Sequence, residues 1–270
     1  MCKCKNILRG IFLLSLSLFS LVVKGQEFFP KEGFFSPHQP IQFEFFQKMT
    51  SSSTIGGYPL IPLGGEYSLA RLKVAPSTLG TPLGYAYLFD IRNDKFFASI
   101  DIEANLDSGR GGDWTDEPCK RSNFLWKRSI GGDFKNVNCA SINHITNFWV
   151  SPTGEFQQLW VQLKQKNLQI PTTVIQIVFT RYSDHSRRIV YKVNLNPEIF
   201  GFEPDPEPKW GANSWYKDYS SKDPKKAEFI THLSKWVTMV QERMESAFSK
   251  EKDSFNGVPP LEAFLSKVDK

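Results

Sequence analysis

From Phe96 to Leu106 the chain alternates without a break. Ala98, Ile100, Ile102, Ala104 and Leu106 fall on one parity, and Ser99, Asp101, Glu103 and Asn105 on the other. A period of two is the mark of a β-strand with one face in a core and the other toward solvent or a cleft. Such a strand needs hydrogen-bonded neighbours, so this stretch commits the chain to a sheet.

The neighbours are legible. Tyr85 to Ile91 precedes it as the first arm of a hairpin around Arg92-Asn93-Asp94-Lys95. Tyr67 to Val74 also alternates, and Phe-rich Ile41 to Met49 is the expected first strand. Asn123 to Ile130 and Asp133 to Cys139 read as a small hairpin turned by Gly131-Gly132, and Ile145 to Val150 as a short strand. Thr173 to Arg181 and Arg188 to Leu195 make another hairpin. Ser51 to Gly65, Pro76 to Pro82 and Leu106 to Pro118 carry the glycines, prolines and polar residues of loops.

Helical spacing is rarer. Pro152 to Asn167 puts Phe156, Leu159, Trp160 and Leu163 on one face. Asn196 to Lys222 reads as an extended connector that still packs, because Trp210, Trp215 and Tyr216 are costly to leave in water. Asp223-Pro224 is a helix start, since Asp caps well and Pro suits the first helical position. Phe229, Leu233, Trp236, Val240, Met244 and Phe248 then form one apolar stripe, and Leu261 to Val268 a short helix. The expected fold is α+β: a mainly antiparallel sheet built from hairpins, with a long C-terminal amphipathic helix and a shorter helix packed against it.

The first 25 residues stand apart. Lys3, Lys5 and Arg9 precede 13 apolar or serine residues, Ile11 to Val23, followed by Lys24-Gly25 and a polar, proline-bearing stretch. This is the signal-peptide pattern, and the apolar run is short of the about 20 residues a membrane-spanning helix needs. Cleavage after Gly25 is the expectation, with an uncleaved anchor as the competing one. The exported part, 26–270, reads as one domain: 26–65 an N-terminal strand and loop, 66–222 a sheet-rich body, and 223–270 a helical segment. Export places it in the periplasm of a cell with two membranes, and otherwise outside the cell. No later segment is long and apolar enough to span a membrane.

Removing the leader changes the charge. Four of the 33 basic side chains lie in it with no acid, which leaves 29 against 28. That balance offers no electrostatic case for nucleic acid or an anionic membrane. Cys2 and Cys4 leave as well, so Cys119 and Cys139 remain as an even pair in an oxidising compartment. A disulfide is expected, clamping the open end of the 123–139 hairpin.

Chemical signatures are sparse. The chain holds no GxxxxGK[ST], GxGxxG after a strand, HExxH or GxSxG. Asp101 and Glu103 share a strand face about 6.8 Å apart, and Asp107, Asp113, Asp116 and Glu117 follow. A carboxylate pair is what a hydrolase acting on envelope glycans would use. Asp107, Asp113 and Asp116 are also hard oxygen ligands, but Gly109 and Gly111 break the calcium-loop template. The bland reading is a surface loop answered by Lys120, Arg121, Lys127, Arg128 and Lys135.

Glycines around Arg110, then Trp114, suit close approach to a carboxylate, phosphate or sugar face. Trp126 and Arg128 fall on one side of their strand. The expectation is therefore a non-catalytic protein without cofactor or metal. It would bind an unknown small ligand or envelope partner through 106–139, with Arg110, Trp114 and Arg128 as the contacts. His144 reads as structural, and His185 and His232 ask for no function.

Overall fold

The alternating run lies in the middle of an eight-stranded antiparallel sheet. A computed structural model describes residues 44–50, 52–76, 82–106, 117–131, 136–148, 156–183 and 187–266, without the side chains of 117, 118 and 156–160. The strands are β1 (Gln47–Met49), β2 (Thr54–Ile55), β3 (Tyr58–Pro59), β4 (Tyr67–Pro76), β5 (Pro82–Arg92), β6 (Lys95–Asn105), β7 (Trp126–Ser129), β8 (Asn136–Ile145), β9 (Val174–Ser183) and β10 (Arg188–Leu195). The helices are α1 (Glu117–Lys120), α2 (Phe156–Gln165), α3 (Lys217–Ser220), α4 (Pro224–Glu242), α5 (Met244–Phe248) and α6 (Leu261–Leu265). Sheet order is β1-β4-β5-β6-β10-β9-β8-β7, with β2-β3 as a separate ribbon. Two meanders therefore meet where β6 pairs with β10.

Local chemistry sets the hairpins. Asn93 and Asp94 turn β5 into β6 with φ of 48° and 59°, the paired left-handed conformation that matches strand twist. Ile100 and Ile102 stand opposite Val193 and Tyr191 of β10 and Leu88 and Ala86 of β5, all buried on one face. That face is closed by α4, α5, α6 and the strap from Ile55 to Leu63. Trp236 of α4 meets Phe179 edge-on, with centroids 6.4 Å apart, and its indole N–H donates to the Pro259 carbonyl at 2.9 Å. Asp223 caps α4 by accepting from the Lys226 N–H at 3.2 Å. Trp215 of the connector is buried against Phe202 and Phe229.

The structure corrects the expected fold class. The molecule is one large antiparallel sheet with few and mostly short helices, and the continuous C-terminal amphipathic helix is not formed. α4 stops at Glu242 and the chain turns at Arg243, so Met244 and Phe248 belong to the separate five-residue α5. Val240, Met244 and Phe248 are four residues apart, so the spacing stays in phase across the break and hides it. The cause lies on β9. Arg181 projects from the core face, pairs with Glu245 at 2.8 Å and lies 4.6 Å from the Phe248 ring centre. Serving that buried cation takes a short helix on its own course.

Two smaller expectations also change. Ile145 ends β8 and does not begin a strand. Cys119 and Cys139 are bonded, with Cα atoms 5.7 Å apart. The bond joins α1 to β8 where Cys139 opposes Ser129, beside the hairpin's turn and away from its open end at Trp126 and Ile142. Among the described residues no helix is long and apolar enough to cross a membrane.

Candidate functional site

The β7 strand is short, and each of its side chains has a fixed task. Lys127 and Ser129 point to the face away from α4. The Lys127 ammonium donates to the carbonyls of Lys120 and Arg121 at 3.4 and 2.9 Å, closing the open C-terminal end of α1. With the disulfide, this braces β7 from behind. On the other parity, both terminal nitrogens of Arg128 lie 3.2 Å from Glu242 Oε1, and the Arg128 carbonyl accepts from Gln241 of α4 at 3.3 Å. Trp126 shares that parity and packs against the core.

β7 thus stands as a wall opposite α3 and the first half of α4, and a groove of about 430 Å³ lies between them. Leu125 and Trp126 form one side. Ala227, Ile230, Thr231 and Ser234 of α4 form the other, and Lys217, Ser220 and Ser221 close the end. The volume falls within the range of small-molecule sites. The Thr231 hydroxyl donates to the Ala227 carbonyl and that of Ser234 to the Thr231 carbonyl, each at 2.8 Å. Their protons are committed within the helix, so their oxygens offer lone pairs. Lys217 supplies the cation. One of its N–H groups reaches the Ser122 carbonyl at 3.3 Å, which ties the end of the groove to the 106–139 region.

The end wall rests on an aromatic stack. His144 of β8 is fully buried and lies 5.0 Å from Trp210, with the rings nearly parallel. Its Nε2 is 3.0 Å from the Trp210 carbonyl, and the Trp210 indole N–H returns a bond to the His144 carbonyl at 3.2 Å. Tyr216, the residue before α3, sits edge-on to Trp210 at 4.9 Å. Burial pushes the His144 pKa below its ordinary value, partly offset by the Trp210 carbonyl. This matches the structural reading of that residue.

The other expected contacts fare differently. Arg110 and Trp114 lie outside the described residues. Arg128 is described, but its guanidinium faces Glu242 and does not line the groove. Asp101 and Glu103 sit on the sheet face opposite α4. Each meets a cation of β10: Asp101 with Lys192 at 3.3 Å, and Glu103 with Arg188 at 3.0 Å. They do not face one another across a cleft, as the hydrolase alternative needs. Asp107, Asp113 and Asp116 are outside the described residues, and among those described no three metal-binding side chains cluster.

The α3 and α4 residues of the groove were not anticipated. Ala227, Thr231 and Ser234 recur at helical spacing beside the core stripe, and that run of small side chains is the signal that leaves room along the helix flank.

No family model matches the chain, and no curated protein matches it. Two solved structures are similar to part of it. One is the C-terminal domain of Yurk from Bacillus subtilis subsp. subtilis str. 168, at 10% identity over 48% of this chain and 88% of that one, with a TM-score of 0.27. The other is a candidate transcriptional regulator from Streptomyces coelicolor, at 9% identity over 51% of this chain and 88% of that one, also with a TM-score of 0.27. Likenesses this shallow bear on neither the fold nor the function of this chain.

Proposed function

We propose that this is an exported, non-catalytic binding protein that holds a small amphiphilic anion in the groove between β7 and α4. The groove carries the reading. Trp126, Leu125 and Ile230 offer apolar surface, Thr231 and Ser234 offer acceptors, and Lys217 offers charge at one end. A ligand with an apolar body, an N–H or O–H donor and one anionic group satisfies all three. The nine lining residues supply apolar surface, hydroxyls and one ammonium, an inventory suited to holding a ligand. Export rests on the leader pattern of the first 25 residues, with the mature chain starting near Gln26. The disulfide suits an oxidising compartment, the periplasm or the cell exterior.

The test uses 1-anilinonaphthalene-8-sulfonate, which joins an aromatic body to a sulfonate. Titrated into the folded mature protein, it should bind with a Kd of roughly 10–100 μM. Ala227→Trp and Ser234→Phe, which fill the groove from α4, should each abolish binding. Lys217→Gln should weaken it about tenfold, and Arg128→Gln should leave it unchanged. Binding that survives both filling variants would place the ligand elsewhere and sink the proposal. For export, N-terminal sequencing of the mature protein should begin at Gln26, and a sequence beginning at Met1 would refute cleavage.

A further inference from the structure

The sheet face opposite α4 is built as no mere solvent face needs to be. Ser99 of β6, Asn194 of β10, Gln176 of β9 and Asn143 of β8 stand directly opposite one another in register, one polar side chain per strand across four adjacent strands. Ser99 and Asn194 are buried, at 0% and 3% exposure, in positions where a stability-driven sheet would carry valine or isoleucine. The row is joined in one direction. Gln176 Nε2 donates to Asn194 Oδ1 at 2.9 Å, Asn194 Nδ2 donates to Ser99 Oγ at 3.1 Å, and Ser99 Oγ lies 2.8 Å from the Tyr87 hydroxyl.

The relay stops at its β8 end. Asn143 Oδ1 is shielded from water and has no hydrogen-bond partner among the described residues. A buried acceptor left unmade costs stability, and Asn143 Oδ1 is the one such atom on this row. At this end the surface opens: Asn143, Gln176 and Lys192 are partly exposed. The next row carries one matched pair, Lys192 opposite Asp101, and further along the strands Arg188 answers Glu103 on the diagonal. The row therefore offers amide and hydroxyl groups beside ions that already answer each other. Amides donate and accept within one side chain, and so do hydroxyls.

We infer that the Asn143–Gln176 end of this row is a second binding site, separate from the groove, that takes a neutral hydroxyl-rich ligand of the sugar or polyol class. Turning of the partly exposed Asn143 side chain brings its Oδ1 out to accept from a ligand hydroxyl, and neighbouring hydroxyls bridge Gln176 and the Lys192–Asp101 pair. An anionic sugar is disfavoured, because it must compete with Asp101 for Lys192.

Isothermal titration of the mature protein with N-acetylglucosamine and myo-inositol, and with glucuronate as the charged counterpart, tests this. At least one neutral probe should bind with a Kd below about 10 mM, more tightly than glucuronate. Gln176→Leu and Asn143→Leu should each weaken it about tenfold, the cost of one or two lost hydrogen bonds. Ala227→Trp, in the groove, should leave it unchanged. Asn143→Leu should not lower the melting temperature, since it removes an unmatched acceptor, and should Gln176→Leu fail to fold, it carries the comparison alone. The inference is overturned if neither neutral probe binds, if glucuronate binds more tightly, if the leucine variants shift the melting temperature but not the Kd, or if Ala227→Trp abolishes binding.

Discussion

Replacing Cys119 and Cys139 together by alanine should cost the protein about 3–4 kcal/mol. The bond spans a sequence separation of 20. Closing a loop of that length in the unfolded chain is worth about 3 kcal/mol in the chain-entropy account. Cys139 is 5% exposed and packs with Val137, Tyr182 and Val190, so removing its sulfur adds about 1 kcal/mol through lost contacts. For a domain of this size the melting temperature should fall by roughly 6–16 °C. Urea unfolding of the double variant, read by circular dichroism and tryptophan fluorescence, measures the loss. Wild-type protein under reductant should behave alike. The structure also sets where the loss is felt. α1 is held to the sheet by this bond and by Lys127. Amide exchange should therefore quicken first in β7 and the adjoining part of β8, while β5 and β6 keep their protection. A loss under about 1 kcal/mol with an unchanged urea slope would refute the reasoning. So would exchange that quickens evenly across the sheet.

Three further outcomes follow from single residues. His144 is buried with a lowered pKa, so above the unfolded value near 6.5 both states are neutral and pH has no effect through it. As pH falls below that value the unfolded chain takes up the proton first, and stability declines until the folded pKa is passed. Thermal melts from pH 7.5 to 4.5 should show this decline, and His144→Gln should flatten that part of the profile. Asp223→Ala should cost about 1 kcal/mol in urea unfolding, because the Lys226 N–H loses its cap. Asp94→Gly should stabilise by a few tenths of a kcal/mol, since Asp94 holds a φ of 59° that glycine adopts freely, and a measured loss would contradict the turn assignment.

What lay within reach of the sequence was local. The parity of Ala98 to Leu106 chose the buried face, and Asn93-Asp94 marked the turn before it. Asp223-Pro224 marked the start of α4. Each depends on neighbours within a few residues, where strand period, turn conformation and capping are decided. The break after Glu242 was not legible, because it answers Arg181, some sixty residues away, and the apolar spacing runs through it in phase. The pairing of β6 with β10, which brings Ser99 opposite Asn194, was equally out of reach. So was the groove, where Trp126 meets Ile230 and Arg128 turns aside to Glu242. Those meetings cost loop entropy and are repaid only by the packing of the whole core, so tertiary structure alone decided them. The sequence by itself determined a sheet and the strand parity that leaves Ser99 and Asp101 on the face away from Ile100 and Ile102. Only the fold determined which strands stand side by side, and hence which side chains share a site.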